Sequence, residues 1–341
     1  MTSITSATPI MVTPNVLATT MVNGLTTDQT AMATLEEQIS TGDAINVPSD
    51  NPAGAANLLQ LQGAVTRAGQ YSSNAQDGVG WLSLGNATVS SVLDVVQSIK
   101  SVIEGVSGSS LMGEPATVTS TADQVRSALN QLMNLANTTE EGGQPIFAGT
   151  GNATAAYDAN GSYLGNGVAP TRTVAPGTQV AVAVTGPQVF GPGTPGASDS
   201  FGGVTTSLLS GAGTTTDGPN VGVLQTLAND LNTASQDLTA GNRSGASAAL
   251  AQVTGTDLQN LSTALNRVET AAGVLGANQQ AVQGFSTQAT NSVASLQQEL
   301  GSVQDTNMAQ ALTNLQLQQT AFQEALYATS QLSSDSLAKY L

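Results

Sequence analysis

Hydrophobic residues recur at helical spacing through the C-terminal half of the chain. Apolar side chains stand seven residues apart from Leu261 to Val303, and a second set fills the alternate steps of four. This heptad repeat predicts a rod-like helix of about 65 Å at a rise of ~1.5 Å per residue. The first set is Leu261, Val268, Leu275, Val282, Ala289, Leu296 and Val303. Gln279 and Ser286 in the second set are expected to weaken the middle of the seam.

A similar pattern in the N-terminal half predicts a second long helix that can pair with the first. Apolar positions run from Leu58 to Ile103 in steps close to three and four. Pro52 suits the first turn of this helix, and Ser49 or Asp50 is expected to cap it. The segment SGSSLMGEP, residues 107–115, is predicted to end it, and apolar positions between 125 and 136 predict a further helix.

Both ends of the chain carry a narrower apolar stripe. The stripes consist of Leu25, Met32, Leu35 and Ile39 near the N-terminus, and of Leu312, Leu315, Phe322 and Leu326 near the C-terminus. In one interpretation the two terminal helices dock on the core of the same molecule. In the other they fold only on contact with further subunits.

The middle of the chain differs from both halves in its composition and hydrophobic pattern. Residues 142–220 hold 17 of the 36 glycines and 7 of the 12 prolines, without a helical period. Within them, TQVAVAVT, residues 178–185, alternates Val with Gln or Ala between two flanking glycines, which predicts a strand. This region is interpreted as an inserted β-rich module.

Composition narrows the range of functions. Seven basic residues against 23 acidic ones give a net charge of -16, which disfavours binding to phosphate backbones. No basic residue precedes Arg67, so the positive start of a cleaved secretory signal is missing. No apolar run approaches about 18 residues, so no membrane insertion is expected.

The chemistry-bearing residues are scarce. The chain has no histidine and no cysteine, which excludes Ser-His and Cys-His relays, disulfides and the usual zinc ligand sets. Asp43 and Asp50 could be calcium ligands, but their spacing lacks the regular alternation of a calcium loop. We therefore expect no enzyme activity, no cofactor and no metal.

Three separated motifs resemble the bacterial flagellin superfamily. QISTGDAINVPSDNPAGAANLLQLQ, residues 38–62, is similar to the joint between its first terminal helix and the rod. LANTTEEGGQPIFAGT, residues 135–150, and GTQVAVAVTGPQVFG, residues 177–191, resemble the outer domain's entry and a strand pair ending in Val-Phe in the hook-associated protein 3 branch. The C-terminal run from residue 303, with its final S-L-x-x-Y-L, is also similar. Asp43 and Ala44 depart from the Lys or Arg usual there.

The resemblance implies a mainly α fold, an elongated antiparallel helical rod formed by both halves of the chain, with an inserted β-rich outer domain. The implied joint loop contains Gly42, Asn46, Pro48, Asp50 and Pro52. The implied domains are a terminal polymerisation helix with joint (1–50), the rod's first part (51–141), the outer domain (142–220), the rod's second part (221–303) and a C-terminal polymerisation helix (304–341).

The implied function is structural and extracellular, at the junction between the flagellar hook and its filament. The implied partners are hook-associated protein 1, flagellin, further copies in a ring, and a cytoplasmic export chaperone. Export would use the flagellar type III route without a cleaved signal. Two alternatives stay open, a filament flagellin and a secreted adhesin whose middle domain binds a ligand.

Overall fold

Long helices account for most of the chain in the computed structural model, which describes residues 14–107, 113–191 and 222–338. The helices are α1 (Pro14–Thr41), α2 (Pro52–Ser107), α3 (Pro115–Ala136), α4 (Gly186–Phe190), α5 (Val223–Thr239), α6 (Arg243–Gln252), α7 (Leu258–Gln304) and α8 (Met308–Ala338). A π-helical segment, Val253–Asp257, joins α6 to α7. The predicted mainly α fold, with long helices in both halves and a small strand region between them, is confirmed.

The chain divides into two compact units. The terminal unit comprises residues 1–67 and 292–341, and the central unit comprises residues 68–291. The central unit contains nearly all of the fully buried apolar side chains; among the described residues, only Leu61 and Ala311 of the terminal unit are as deeply buried. The predicted domain boundaries at residues 50, 141, 220 and 303 stay predictions.

The core of the central unit is built on the predicted heptad seams. Leu261, Val268, Leu275 and Val282 of α7 are completely buried, as are Leu82, Val89, Val96 and Ile103 of α2. The break between α2 and α3 falls where the sequence predicted it, and α3 packs along α5. Buried aliphatic faces on several helices therefore share one apolar core.

Gln279, the polar position in the α7 seam, is not a gap in the packing. Its side-chain oxygen accepts a hydrogen bond from the Asn86 amide of α2, and its amide donates to Ser83 Oγ at 3.3 Å. A paired polar position fixes the register of two helices because a shift along the seam would break the pair. Gln279, which was expected to weaken the seam, therefore aligns α7 with α2.

The strand region is a single hairpin among the residues that the structure describes. Strand β1 (Thr171–Ala175) pairs antiparallel with β2 (Thr178–Ala181), Thr171 opposite Ala181. The predicted strand over 178–185 is too long, because β2 ends at Ala181, although Val182 N still donates to Pro170 O at 2.9 Å. Residues 192–220 of the predicted module lie outside the described part of the chain.

The Val-Phe dipeptide, expected to end a strand pair, lies instead at the end of the short helix α4. Thr185 N donates to the Gln188 side-chain oxygen at 2.9 Å, which starts a helical turn before the strand pattern can continue. Phe190 then packs edge-on against Phe147, with ring centroids 5.3 Å apart, and against Tyr157 at 5.6 Å. The motif supplies the aromatic centre of this small region.

The long helix α2 also bears on the expectation about apolar runs. Its span Pro52–Gly105 is long and apolar enough to cross a membrane by length and composition. Of the apolar window, 44% is buried inside the protein. The expectation counted only uninterrupted runs of apolar residues, whereas in α2 small and polar residues alternate with Val and Leu.

Candidate assembly surface

The N-terminal helix α1 packs against the C-terminal helix α8 in the terminal unit. The four predicted stripe residues of α1, namely Leu25, Met32, Leu35 and Ile39, are all half-buried and follow the spacing of one helical face. Asp28 on the same face accepts a hydrogen bond from Gln318 Nε2 of α8 at 2.8 Å, and Met21 Sδ lies 4.0 Å from Thr329 Oγ1. The α1 stripe is thus the face that meets α8.

On α8 the structure divides the predicted stripe between two faces. Leu315 and Phe322 are half-buried, in line with Ala311, Gln318, Ala325 and Thr329, whereas Leu312 and Leu326 remain 47% and 45% exposed. The face that meets α1 therefore includes Leu315 and Phe322 but is turned away from Leu312 and Leu326. Small alanines and the Gln318 amide occupy positions where the hydrophobic pattern favoured leucine.

Three of the exposed large apolar residues of α8 lie on one side of the helix, next to the face that meets α1. Met308, Leu312 and Leu326, hereafter the α8 stripe, are 41% to 47% exposed and lie within about 40° of one another at ~100° per helical residue. All three side chains stay partly exposed to solvent in the described terminal unit. An apolar stripe of this kind, next to a packed face, is suited to a protein partner.

Charge plays no attractive part in the α1–α8 contact. Neither helix contains a Lys or Arg, while α1 carries Asp28, Glu36 and Glu37 and α8 carries Glu324 and Asp335. The ion pairs made by Lys100, Arg126 and Arg172 all belong to the central unit. Apolar contacts and side-chain amides therefore hold the two terminal helices together.

The predicted joint loop is tied to the turn between α7 and α8. Gly42 has a φ of +83°, a conformation that favours glycine, and its carbonyl accepts a hydrogen bond from Thr306 N at 2.8 Å. Ala44 N donates to Gln304 O at 2.6 Å. These two bonds flank a one-residue antiparallel bridge between Asp43 and Asp305, so both turns are held as one structure.

The loop's other predicted residues order it internally. Asp50 Oδ2 accepts from the backbone amides of Asn46 at 3.1 Å and Val47 at 3.0 Å, and Asn46 Nδ2 donates to Asp43 O at 3.3 Å. Pro48 is exposed, and Pro52 begins α2. The expected cap by Ser49 or Asp50 is wrong, because Asn51 Oδ1 accepts from Gly54 N at 2.9 Å while Asp50 faces back into the loop.

Two residues of this site were missed from the sequence. Gln304 Nε2 donates to Asp43 Oδ1 at 3.1 Å, and Gln38 Nε2 donates to Ala44 O at 2.8 Å. Asp43 stands where the resemblance predicts Lys or Arg, and its carboxylate accepts a hydrogen bond from the Gln304 side-chain amide. The sequence signal that could have indicated this site is the end of the α7 heptad repeat at residue 303. It lies just before Asn307, whose side-chain oxygen caps α8 by accepting a hydrogen bond from Gln310 N at 3.2 Å.

The described residues contain no group of three or more acidic side chains placed to hold a metal ion. The joint loop's two aspartates each accept hydrogen bonds from nearby backbone or amide groups instead. The arrangement is thus that of a helical contact surface with an ordered joint.

Comparison with known families identifies the same parts of the chain. Residues 12–152 match the bacterial flagellin N-terminal helical region, and residues 258–341 match the bacterial flagellin C-terminal helical region. These matches contain both helices of the α1–α8 contact, the joint loop and the turn at residues 304–307.

Individual relatives are similar over about half of their length. The chain is 31% identical over 169 residues to flagellar hook-associated protein 3 of Salmonella typhimurium, covering 49% of this chain and 53% of that protein. It is 29% identical over 168 residues to the Escherichia coli protein of that name, covering 49% and 52%.

A solved structure shows the same fold. The crystal structure of Xanthomonas campestris FlgL aligns with a TM-score of 0.55 at 18% identity, covering 71% of this chain and 99% of that one. With matches to both the N-terminal and the C-terminal helical regions, which together span most of the sequence, the chain belongs to the bacterial flagellin family.

Proposed function

We propose that this protein is a structural subunit of the bacterial flagellum that joins hook-associated protein 1 to the flagellin filament. The observation that carries the proposal is the terminal unit, in which the helices shared with the flagellin family pair and still leave the α8 stripe exposed. Similarity to two proteins named hook-associated protein 3 favours the junction over the filament.

In this proposal, copies of the chain pack side by side into a ring through their terminal units. The α8 stripe supplies the apolar contact between neighbours, while the joint loop sets how α1 and α8 connect to α2 and α7. One side of the ring meets hook-associated protein 1, and the other meets the first flagellin subunits. No catalysis is needed, in keeping with a chain that lacks histidine and cysteine.

The thin packing of the terminal unit supports assembly-dependent folding. Its helices bury few side chains completely. A contact with a small buried apolar area offsets only a small part of the entropy that the chain loses on becoming ordered. We expect weak hydrogen-exchange protection of α1 and α8 in the free subunit and strong protection after assembly. Protection of these helices in the monomer equal to that of α7 would contradict this part of the proposal.

The function is tested by following flagellin in the source bacterium with the gene for this chain deleted. A junction protein predicts flagellin lost to the culture medium from cells with bare hooks, and recovery by the wild-type gene. Loss of the filament protein itself from both the medium and the cells would identify this chain as the filament flagellin. Unchanged filaments would overturn the flagellar proposal and favour an adhesin.

Export is proposed to use the flagellar type III route, with a cytoplasmic chaperone covering residues 308–326 until delivery. The motivation is the exposed apolar surface of α8. Replacing Leu312 and Leu326 by Ser should weaken chaperone capture in a pull-down with the full chain. Leu164→Ser, an exposed leucine of the central unit, is the control, and equal capture of both variants would contradict the proposal.

A further inference from the structure

The π-helical segment Val253–Asp257 interrupts the helical path between α6 and α7. It packs against α5 and α6 within the central unit. Its last residue, Asp257, is only 2% exposed. Segments of π-helix are rare and frequently mark functional positions, and a carboxyl group is an unusual choice for a fully buried site.

Asp257 faces a second carboxyl group. Asp230, on α5, interacts with Asp257 both by charge and by a side-chain hydrogen bond. The other Asp257 oxygen, Oδ2, is buried and has no hydrogen-bond partner. Burial first, and then the neighbouring Asp230, raise the pKa of Asp257 from 3.8 to about 7, because two carboxylates in contact cannot both remain charged at low cost.

Other charged groups also lie on the neighbouring helices α5, α6 and α7. On α5, Asp237 Oδ1 accepts a hydrogen bond from Asn242 Nδ2 at 3.0 Å. On α6, Arg243 is exposed at the first turn. On α7, Arg267 has an electrostatic contact with Tyr157, and Glu269 is exposed. Asp230 is thus the group that acts on Asp257.

We propose that the pair Asp230–Asp257 is a proton-operated latch, in which one shared proton holds the π-helical segment against α5. When the proton leaves, two carboxylates face each other in a buried site and repel. Opening of the layer formed by α5, α6 and the π-helical segment then relieves the repulsion by admitting water. The proposal concerns the central unit and does not depend on the flagellar function.

The direction of the pH dependence follows from linkage. The folded pair holds its proton up to about pH 7, whereas an exposed aspartate releases it near 3.8. The contribution to stability is therefore fully present below about pH 4 and is lost as the pH rises to about 7. With one proton involved, the equilibrium constant for opening should rise by up to about tenfold per pH unit within this window.

Two measurements on the full chain test the latch. In the first, carboxyl ¹³C resonances of aspartate are followed from pH 3 to 9, and the Asp257 signal is assigned by its absence in Asp257→Asn. A resonance titrating near 7 is expected. Titration of every aspartate below pH 5 would overturn the proposal, and this outcome is read from the wild type without any assignment.

In the second, hydrogen exchange of residues 223–257 is measured against pH and corrected for intrinsic exchange rates. The wild type should open progressively more from pH 5 to 7. Asp257→Asn, which cannot lose a proton, should give a flat profile, whereas Asp237→Asn, on α5 like Asp230, should retain the wild-type slope. An equal slope in Asp257→Asn and the wild type would show that the pair is not the latch.

Discussion

A single glycine in the second motif, Gly149, shows how one residue determines a local fold. Its φ is +77°, and a Cβ placed there would lie 2.6 Å from Val168 O and against Asn166 Oδ1. We expect Gly149→Ala to lower the free energy of unfolding of the central unit by about 2 to 4 kcal/mol, from backbone strain and overpacking together.

Denaturant unfolding of the full chain measures this effect. The matched control is Gly151→Ala, two residues along, because its added Cβ would meet Asn166 at an ordinary 3.7 Å and its backbone needs no positive φ. The control should stay within about 0.5 kcal/mol of the wild type. Equal destabilisation by the two substitutions would contradict the assigned role of Gly149.

The Asn86–Gln279 pair makes a second prediction at the residue scale. Asn86→Ala leaves the Gln279 oxygen without its donor in a half-buried seam, and should cost about 1 to 2 kcal/mol. Replacing both residues by Leu should recover most of this loss, since apolar packing can replace a buried polar pair. Thermal unfolding of the single and double variants checks the coupling.

The hydroxyl pair Ser72–Thr290 provides the comparison for that experiment. It joins the same two helices at 3.3 Å but is more exposed, so Thr290→Ala should change stability by less than about 0.5 kcal/mol. If the Asn86 and Gln279 substitutions were instead strictly additive, the two side chains would not act as a pair.

At the scale of elements, the face by which α8 meets α1 is testable with engineered cysteines, because the chain contains none. Asp28 and Gln318 are hydrogen-bonded, whereas Gln319 is turned by about 100° on the helix. The double variant Asp28→Cys/Gln318→Cys should form a disulfide at least about tenfold faster than Asp28→Cys/Gln319→Cys.

The rates are compared on non-reducing gels under mild oxidation. This choice of positions separates two arrangements, since Gln319 falls on the stripe predicted from hydrophobicity and Gln318 on the face seen in the structure. Faster cross-linking through position 319 would restore the predicted stripe. Equal rates through both positions would show that the two helices do not pack in a fixed register.

Helices were predictable from the sequence because their signal repeats over many residues. The seam from Leu261 to Val282 is buried as its spacing predicts, and Ser107 and Pro115 do bound the break after α2. The strand region was less predictable: Val182 and Val184 continue the alternation but leave the ladder, because Thr185 and Gln188 begin a helical turn.

The contact surface was only partly predictable for a physical reason. Hydrophobicity selects large side chains, and so placed Leu312 and Leu326 together with Leu315 and Phe322 on one stripe. Close helix packing instead selects shape and polar pairing, which bring Ala311, Ala325 and Gln318 toward α1. Pairing between Gln304 and Asp43 joins residues 261 positions apart, and no local pattern reports such a contact.

At the scale of the whole molecule, the two units differ in how they achieve stability. The central unit buries its heptad seams and an aromatic cluster, whereas the terminal unit leaves apolar side chains accessible on both α1 and α8. A subunit built in this way can hold a stable core while its terminal helices remain available to other subunits.

The α8 stripe should therefore matter for assembly but not for the stability of the central unit. Leu312→Ser/Leu326→Ser removes apolar area from the stripe, and incorporation of the protein into flagella should fall at least about tenfold, because apolar burial between subunits drives association. Immunoblots of sheared flagella measure incorporation, and denaturant unfolding of purified protein measures the central unit, whose midpoint should not move.

The control for this experiment is Leu317→Ser on the same helix. Leu317 is more exposed, at 65%, but lies on the opposite side of α8 from Met308. If the loss of any exposed leucine were enough, incorporation of both variants would fall. If the α8 stripe makes the contact between subunits, only incorporation of Leu312→Ser/Leu326→Ser would fall. Normal incorporation of Leu312→Ser/Leu326→Ser would mean that neighbouring subunits meet through another surface, and the proposed ring contact would have to be abandoned.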